Sequence, residues 1–85
     1  NLNDRFEKHF EDVYPGFFKS LISYSSNLTQ NDLRFCAYLK MNQSTDEIAK
    51  LTNISIRTVE SKKYRLKKKF KIQKDESLTS FIHSI

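Results

Sequence analysis

The segment 44–70, STDEIAKLTNISIRTVESKKYRLKKKF, constrains the fold of this chain more than any other part of the sequence. Ser44 and Glu47 have the spacing of a capping box, in which each side chain bonds the other residue's backbone amide. A short helix is therefore expected to begin here and to run to about Thr52. Asn53 follows, and Asn tolerates the positive φ of a tight turn better than most residues.

A second helix is predicted directly after this turn. Ser55 can cap its first amides, and the helical pattern continues from Ile56 to about Phe70. Two helices joined by a three-residue turn have the arrangement of a helix-turn-helix. In that motif the second helix lies in the major groove of DNA while the first crosses the backbone. We therefore expect residues 56–70 to form a recognition helix.

The rest of the chain predicts helices as well. A single Gly and a single Pro in 85 residues argue against a β architecture, which needs many turn residues. Apolar periodicity and capping residues predict helices over 4–13, from Pro15 to about Ser23 and from Gln30 to about Met41 (capped by Thr29 and Asp32), and a last helix after Asp75 or Ser77. The fold class is therefore expected to be all-α, a small helical bundle.

The same periodicity predicts which side chains are buried, and the chain is divided into a helical lead-in and a domain. Expected core residues outside 56–70 are Phe6, Phe10, Val13, Phe17, Phe18, Leu21, Ile22, Phe35, Cys36, Tyr38, Leu39, Ile48, Leu51, Leu78, Phe81, Ile82 and Ile85. Residues 1–27 are interpreted as a helical lead-in of one or two helices, whose near-heptad stripe could continue an upstream coiled coil. Residues 28–85 are interpreted as the helix-turn-helix domain.

Positive charge is concentrated on one part of the chain. The net charge is +5, and ten of the fifteen Lys and Arg residues lie between Lys50 and Lys74. Glu60 is the only acid between Ser55 and Lys74. A one-sided basic surface is typical of proteins that bind nucleic acid.

A helical projection of residues 56–70 divides them into a buried stripe and a groove-facing side. Ile56, Val59, Leu66 and Phe70 are expected to form the stripe, with the stem of Lys63 covering its edge. Arg57, Glu60, Ser61 and Tyr64 are predicted to contact base edges, because the first turns of a recognition helix meet the bases. Predicted phosphate contacts are Thr45, Thr58, Lys62, Arg65, Lys68 and Lys69.

A family resemblance follows the same residues. Leu28-Thr29, Phe35-Cys36, Ser44, Glu47-Ile48-Ala49, Ile54-Ser55, Arg57-Thr58-Val59-Glu60 and Lys69-Phe70 stand in the order and spacing of the LuxR/GerE (NarL/FixJ) helix-turn-helix. The chain most resembles the C-terminal regulator domain of Bacteroidetes hybrid sensor proteins with triple-tyrosine domains. Asn42, Gln43 and Thr52 depart from the family pattern, and Glu60 is often Lys there, so base preference does not transfer.

The resemblance implies a bacterial two-component regulator. Its output domain would have four helices within 28–85 and would bind double-stranded DNA as a homodimer, often with the last helix at the dimer contact. It also implies an upstream sensor or receiver domain and a cytoplasmic location, which could be the cytoplasmic end of a membrane-anchored sensor.

Two alternative functions remain open from the sequence. A similar EIA…S-x-x-TV pattern occurs in the promoter-reading region of sigma-type factors, and the lead-in stripe could serve a protein-interaction or dimerisation module. An enzyme is not expected, because no carboxylate pair, Cys–His arrangement or Gly-rich phosphate loop is present. No cofactor, metal or small-molecule substrate is predicted, and Cys36 is expected to be a buried apolar residue.

Overall fold

The computed structural model describes residues 2–85 of the chain, with side chains from Arg5 onward. The side chain of Asp4, the first residue of the first predicted helix, therefore lies outside the described residues. The described residues form six helices and no strand, so the predicted all-α class is confirmed. The helices are α1 (Leu2–Val13), α2 (Phe17–Tyr24), α3 (Gln30–Lys40), α4 (Thr45–Thr52), α5 (Ile56–Lys69) and α6 (Leu78–His83).

Both predicted capping boxes are confirmed. The Asp32 amide donates to Thr29 Oγ1 at 3.1 Å, and the Thr29 amide donates to Asp32 Oδ2 at 3.0 Å. Ser44 and Glu47 exchange the same pair of bonds at 3.1 and 2.9 Å. Hydrogen bonds from the backbone and side chain of Ser44 hold the pKa of Glu47 below its ordinary value. These boxes fix where α3 and α4 begin.

The turn of the helix-turn-helix has the predicted geometry, whereas the turn before α2 differs from the prediction. Asn53 ends α4 with φ 57°, as predicted, and Asn42 follows α3 with φ 63°. The predicted start of the second helix at Pro15 is wrong, because Gly16 takes φ 80° and α2 begins at Phe17. The Gly16 amide donates instead to Glu11 Oε1 of α1 at 2.7 Å, which ties the turn back to the preceding helix.

A single hydrophobic core cluster joins all six helices. Its buried members are Phe10, Phe17, Leu21, Phe35, Cys36, Ala37, Tyr38, Leu39, Ile48, Ala49, Val59, Leu66, Phe70, Leu78 and Ile82. Most were predicted from periodicity. Because Phe10, Phe17 and Leu21 belong to this cluster, α1 and α2 pack into the same core as the helix-turn-helix.

Four residues assigned to the core are exposed, so those predictions are wrong. Val13 is 56% exposed, Ile22 49%, Leu51 57% and Ile56 49%. Val13 and Ile56 are terminal residues of their helices, where neighbouring elements no longer cover them. Ile22 stands one residue after the fully buried Leu21, at the edge of the buried side of α2, where it is half exposed. Leu51 lies near the end of α4, on the C-terminal side of the buried Ile48 and Ala49.

The aromatic residues of α1, α2 and α3 fill one side of the core. The Phe10 ring lies 5.2 Å from the Phe17 ring in an edge-on arrangement, and the Phe6 ring lies 5.4 Å from that of Tyr38. The guanidinium of Arg34 lies 4.0 Å from the centre of the Phe6 ring. These contacts use the aromatic rings for packing, as the sequence analysis expected.

The short last helix is fixed against the end of α3. Ser77, rather than Asp75, caps it, and its side chain accepts from the Ser80 amide. Lys40 Nζ donates to the carbonyl oxygens of Ile85 and His83 at 3.1 and 3.4 Å. A cation near the last carbonyls of a helix is a favourable arrangement.

Candidate nucleic-acid interface

The position of α5 is set by its packing against α4 and the core. Ile48 and Ala49 of α4 and Val59 and Leu66 of α5 are buried. The Ile54 amide donates to the Ala49 carbonyl at 3.1 Å across the turn, so the two helices are joined by a short, hydrogen-bonded connection. This packing leaves the opposite side of α5 directed away from the core.

That opposite side, which we call the exposed face of α5, carries six exposed residues: Arg57, Glu60, Ser61, Tyr64, Arg65 and Lys68. All four residues predicted to contact bases therefore lie in the open. Tyr64 is 60% exposed, so its ring is available for contact with a partner. The face is continuous from the first to the last full turn of the helix.

Several cations on or beside this face have no hydrogen-bond or ion-pair partner among the described residues. Arg57, Lys62 and Arg65 make no hydrogen bond or ion pair within residues 2–85. Lys68 Nζ lies 4.6 Å from the centre of the Tyr64 ring, a cation–π contact one helical turn apart. Glu60 is the only acid on the exposed face, so the local field is strongly positive.

The hydroxyls predicted to contact phosphate are already engaged. Thr58 Oγ1 lies 2.9 Å from Ser55 Oγ at the start of α5. Thr45 Oγ1 accepts from Lys63 Nζ at 2.8 Å, which links the start of α4 to the middle of α5. The sequence analysis expects Lys63 only to cover the core with its stem, and no local pattern points to Thr45 as its partner.

Lys69 is held by the protein as well. Its Nζ donates to Asp32 Oδ2 at 2.7 Å and to the Asn27 carbonyl at 3.0 Å. The side chains of Lys69 and Asp32 are only 28% and 21% exposed. The pair connects the end of α5 to the start of α3, and with Lys62, Arg65 and Leu66 it lines a small cleft of about 30 Å³.

The ionisation of Asp32 reflects this contact. Partial burial raises the pKa of Asp32, but the hydrogen bonds from Lys69 and Thr29, together with the Lys69 charge, outweigh it and hold the pKa below its ordinary value of 3.8. A carboxyl whose pKa is lower in the folded state stabilises the fold above its unfolded pKa. That stabilisation is lost as the pH falls through the folded-state pKa.

A double-mutant cycle on this pair has a defined expected result. Asp32→Asn and Lys69→Met should each lower the free energy of unfolding at pH 7, with a coupling of up to about 1 kcal/mol, because the pair is partly screened by solvent. Asn keeps an oxygen that can accept from the Thr29 amide, so the coupling energy reports the charge interaction between residues 32 and 69. Urea unfolding of the four proteins between pH 2 and pH 7 measures it.

The coupling should decrease as the pH falls below 3.8 and through the lowered folded-state pKa of Asp32, because the carboxyl is then protonated and loses its charge. A coupling that is zero at pH 7, or that does not change as the pH falls below 3.8, would show that the ion pair does not tie α5 to α3.

Sequence reasoning missed one residue on this side of the molecule. Ile56 was assigned to the buried stripe because it lies three residues before Val59. The structure leaves it half exposed, in a row with Glu60 and Tyr64 at successive intervals of four residues. Its place at the first position of the helix was the available signal, since side chains there often extend past the neighbouring helix.

Three other features of the described structure bear on function: the thiol, possible metal ligands and possible membrane spans. Burial raises the pKa of the Cys36 thiol to about 12, with a smaller effect of the Asp32 charge, so the sulfur is a neutral, buried group. No cluster of three or more His, Cys, Asp or Glu side chains suited to a metal ion occurs from Arg5 onward. None of the helices between residues 2 and 85 has the length and apolar character needed to cross a bilayer.

Comparison with known proteins gave no match to any protein-family model, to any curated protein or to any solved structure.

Proposed function

We propose that this chain binds double-stranded DNA in a sequence-specific manner, with α5 in the major groove. The observation that carries the proposal is the exposed face of α5, where Arg57 and Arg65 have no partner in the described part of the protein and Glu60 is the only acid. Unpaired cations along one helix offer a polyanion several charge contacts without breaking any contact within the fold.

The arrangement of α4 and α5 supports a duplex as the polyanion. A short capped helix, an Asn53 turn with positive φ and a longer helix are the parts of a helix-turn-helix. The α4–α5 contact is fixed at two places, by the buried Ile48 and Val59 and by the Lys63–Thr45 hydrogen bond. A rigid second helix is what reading of base edges requires.

The side chains on α5 divide by chemistry into two groups. Arg57 can fork onto guanine, Glu60 can accept from cytosine, and Ser61 can serve either role. Lys62, Arg65 and Lys68 lie farther along the helix or on its flank and suit phosphates, which supply affinity without sequence information. Lys69 contributes less than these three, because binding phosphate would cost it the contact with Asp32.

The proposed biological setting is the output domain of a LuxR-type transcriptional regulator in a bacterial two-component system. The residues that carry the resemblance include the Ser44–Glu47 capping box, Asn53 and the Ser55 cap of α5. On this proposal the protein acts in the cytoplasm, forms a homodimer on DNA and takes its signal from a sensor or receiver domain elsewhere in the protein.

Binding-site selection from a random duplex pool, followed by affinity measurements against salt, tests the proposal. The logarithm of the binding constant should fall with log salt, by about 0.9 for each phosphate contact. Lys68→Ala should lower affinity for all sequences alike and reduce that slope by about 1. Ser61→Ala and Tyr64→Ala should instead alter which sites are selected.

Lys69→Ala is the matched comparison for Lys68→Ala, because it removes the same charge from the next position of the same helix. We expect it to change the salt slope less and to lower stability more. If Ser61→Ala and Tyr64→Ala select the same sites as the unaltered protein with the same affinity, α5 does not read the bases.

A further inference from the structure

Ile56 is an exposed apolar side chain on α5, next to the charged residues Arg57 and Glu60. It is the first residue of α5, it is 49% exposed, and it begins the row that continues with the exposed Glu60 and Tyr64. Arg57 stands beside it, without a partner in the described chain. The core does not need Ile56, since the fully buried Val59 and the nearly buried Leu66 fill the inner side of the helix.

The charge around Ile56 restricts what can cover it. The exposed face of α5 carries three cations and one acid, which favours a negatively charged partner there. The same partner must offer Ile56 an apolar group at the depth that the first turn of α5 reaches. In the major groove of DNA the C5-methyl of thymine is the apolar group on the base edges.

We propose that Ile56 is a specificity-determining residue that contacts the C5-methyl group of a thymine in the major groove. The inference rests on the proposed function and adds to it, because it names a base that the bound site must contain. Burying the exposed part of Ile56 against a methyl group removes apolar surface of both partners from water. It also discriminates against cytosine, which presents an amino group on that edge and no methyl.

Replacing thymine by deoxyuridine tests the contact directly, because uracil keeps every hydrogen-bonding group and lacks only the methyl. The probe is the tightest duplex selected from random DNA, with each thymine replaced in turn. A single replacement at the contacted position should weaken binding of the unaltered protein by about fourfold, which corresponds to about 0.8 kcal/mol for one methyl-sized group. Ile56→Ala should bind the two duplexes equally.

Leu51→Ala provides the matched control. Leu51 is a comparably exposed apolar residue on α4, so its loss changes surface hydrophobicity by a similar amount. This variant should keep the fourfold sensitivity to deoxyuridine. Thermal unfolding of Ile56→Ala and Leu51→Ala checks that both remain folded at the temperature of the assay.

Four results would overturn the inference. If no deoxyuridine replacement weakens tight binding, or if a replacement weakens Ile56→Ala and the unaltered protein equally, Ile56 does not contact a thymine methyl, although the protein still binds DNA. An Ile56→Ala variant that loses self-association in sedimentation and keeps its deoxyuridine sensitivity would assign Ile56 to a protein contact. Failure of the unaltered protein to bind any duplex at low salt would end the proposed function itself.

Discussion

The double substitution Arg65→Glu/Lys68→Glu is expected to weaken binding to duplex DNA by on the order of a hundredfold at about 50 mM salt. Both side chains are exposed on α5, and neither has an ion pair in the described protein. At that salt, each lost phosphate contact lowers affinity by roughly tenfold, and the two new carboxylates add repulsion. Fluorescence anisotropy of a labelled duplex measures the loss.

A matched control separates local charge from net charge. Lys8→Glu/Lys19→Glu also takes the net charge from +5 to +1 (5 − 4 = 1), but at exposed positions of α1 and α2. It should lower affinity far less, because these positions lie outside the helix-turn-helix and screening limits charge effects to about 14 Å at 50 mM salt. Equal losses from both double variants would mean that α5 has no special place in binding. Both should unfold within about 0.5 kcal/mol of the unaltered protein.

Ile48→Ala is expected to have the largest effect on stability, lowering the free energy of unfolding by about 2–5 kcal/mol. Ile48 is fully buried on α4, in the same core cluster as Val59 of α5. Its truncation leaves a cavity beneath the helix-turn-helix. Because small domains have only about 5–15 kcal/mol of stability in total, the variant should unfold at markedly lower urea concentration.

Leu51→Ala is the comparison for this prediction, on the same helix and three residues away. Leu51 is 57% exposed, so its truncation should change stability by no more than about 0.5 kcal/mol. Periodicity alone assigned both residues to the core. If the two variants lose equal stability, α4 is rotated relative to the structure, and the exposed face of α5 would have to be reconsidered.

Local sequence signals predicted the fold well where a few neighbouring residues decide the outcome. The Thr29–Asp32 and Ser44–Glu47 boxes and the Ser55 cap depend on residues three apart, and all form as expected. Asn53 adopts the predicted positive φ for a similarly local reason. Such interactions are decided within one turn of helix and need no knowledge of the tertiary arrangement.

The exposed apolar residues show where local reasoning stops. Ile22 and Leu51 fit the periodic pattern, but whether a position on a helix is covered depends on how far the neighbouring helices reach. The reach of a neighbouring helix cannot be seen in a window of ten residues. The start of α2 was misplaced for a different, local reason, since Gly16 takes a positive φ and its amide bonds Glu11 of α1 instead of opening the helix.

The candidate interface was predicted in part as well. Exposure of Arg57, Ser61 and Tyr64 follows from the helical projection, and the structure places all three in the open. The Lys63–Thr45 and Lys69–Asp32 contacts did not follow, because their partners lie 18 and 37 residues apart in sequence. A lysine facing a phosphate and a lysine bonded to its own protein look identical in the sequence.

The most direct test of the central claim is an NMR titration of the ¹⁵N-labelled protein with short random-sequence duplexes at low salt. If α5 enters the groove, the amide resonances that shift most belong to residues 56–68 and to the start of α4, while those of α1 and α2 shift little. Raising the salt concentration should reverse the shifts. Unchanged spectra at a saturating concentration of duplex, or shifts centred on α1 and α2, would contradict the account.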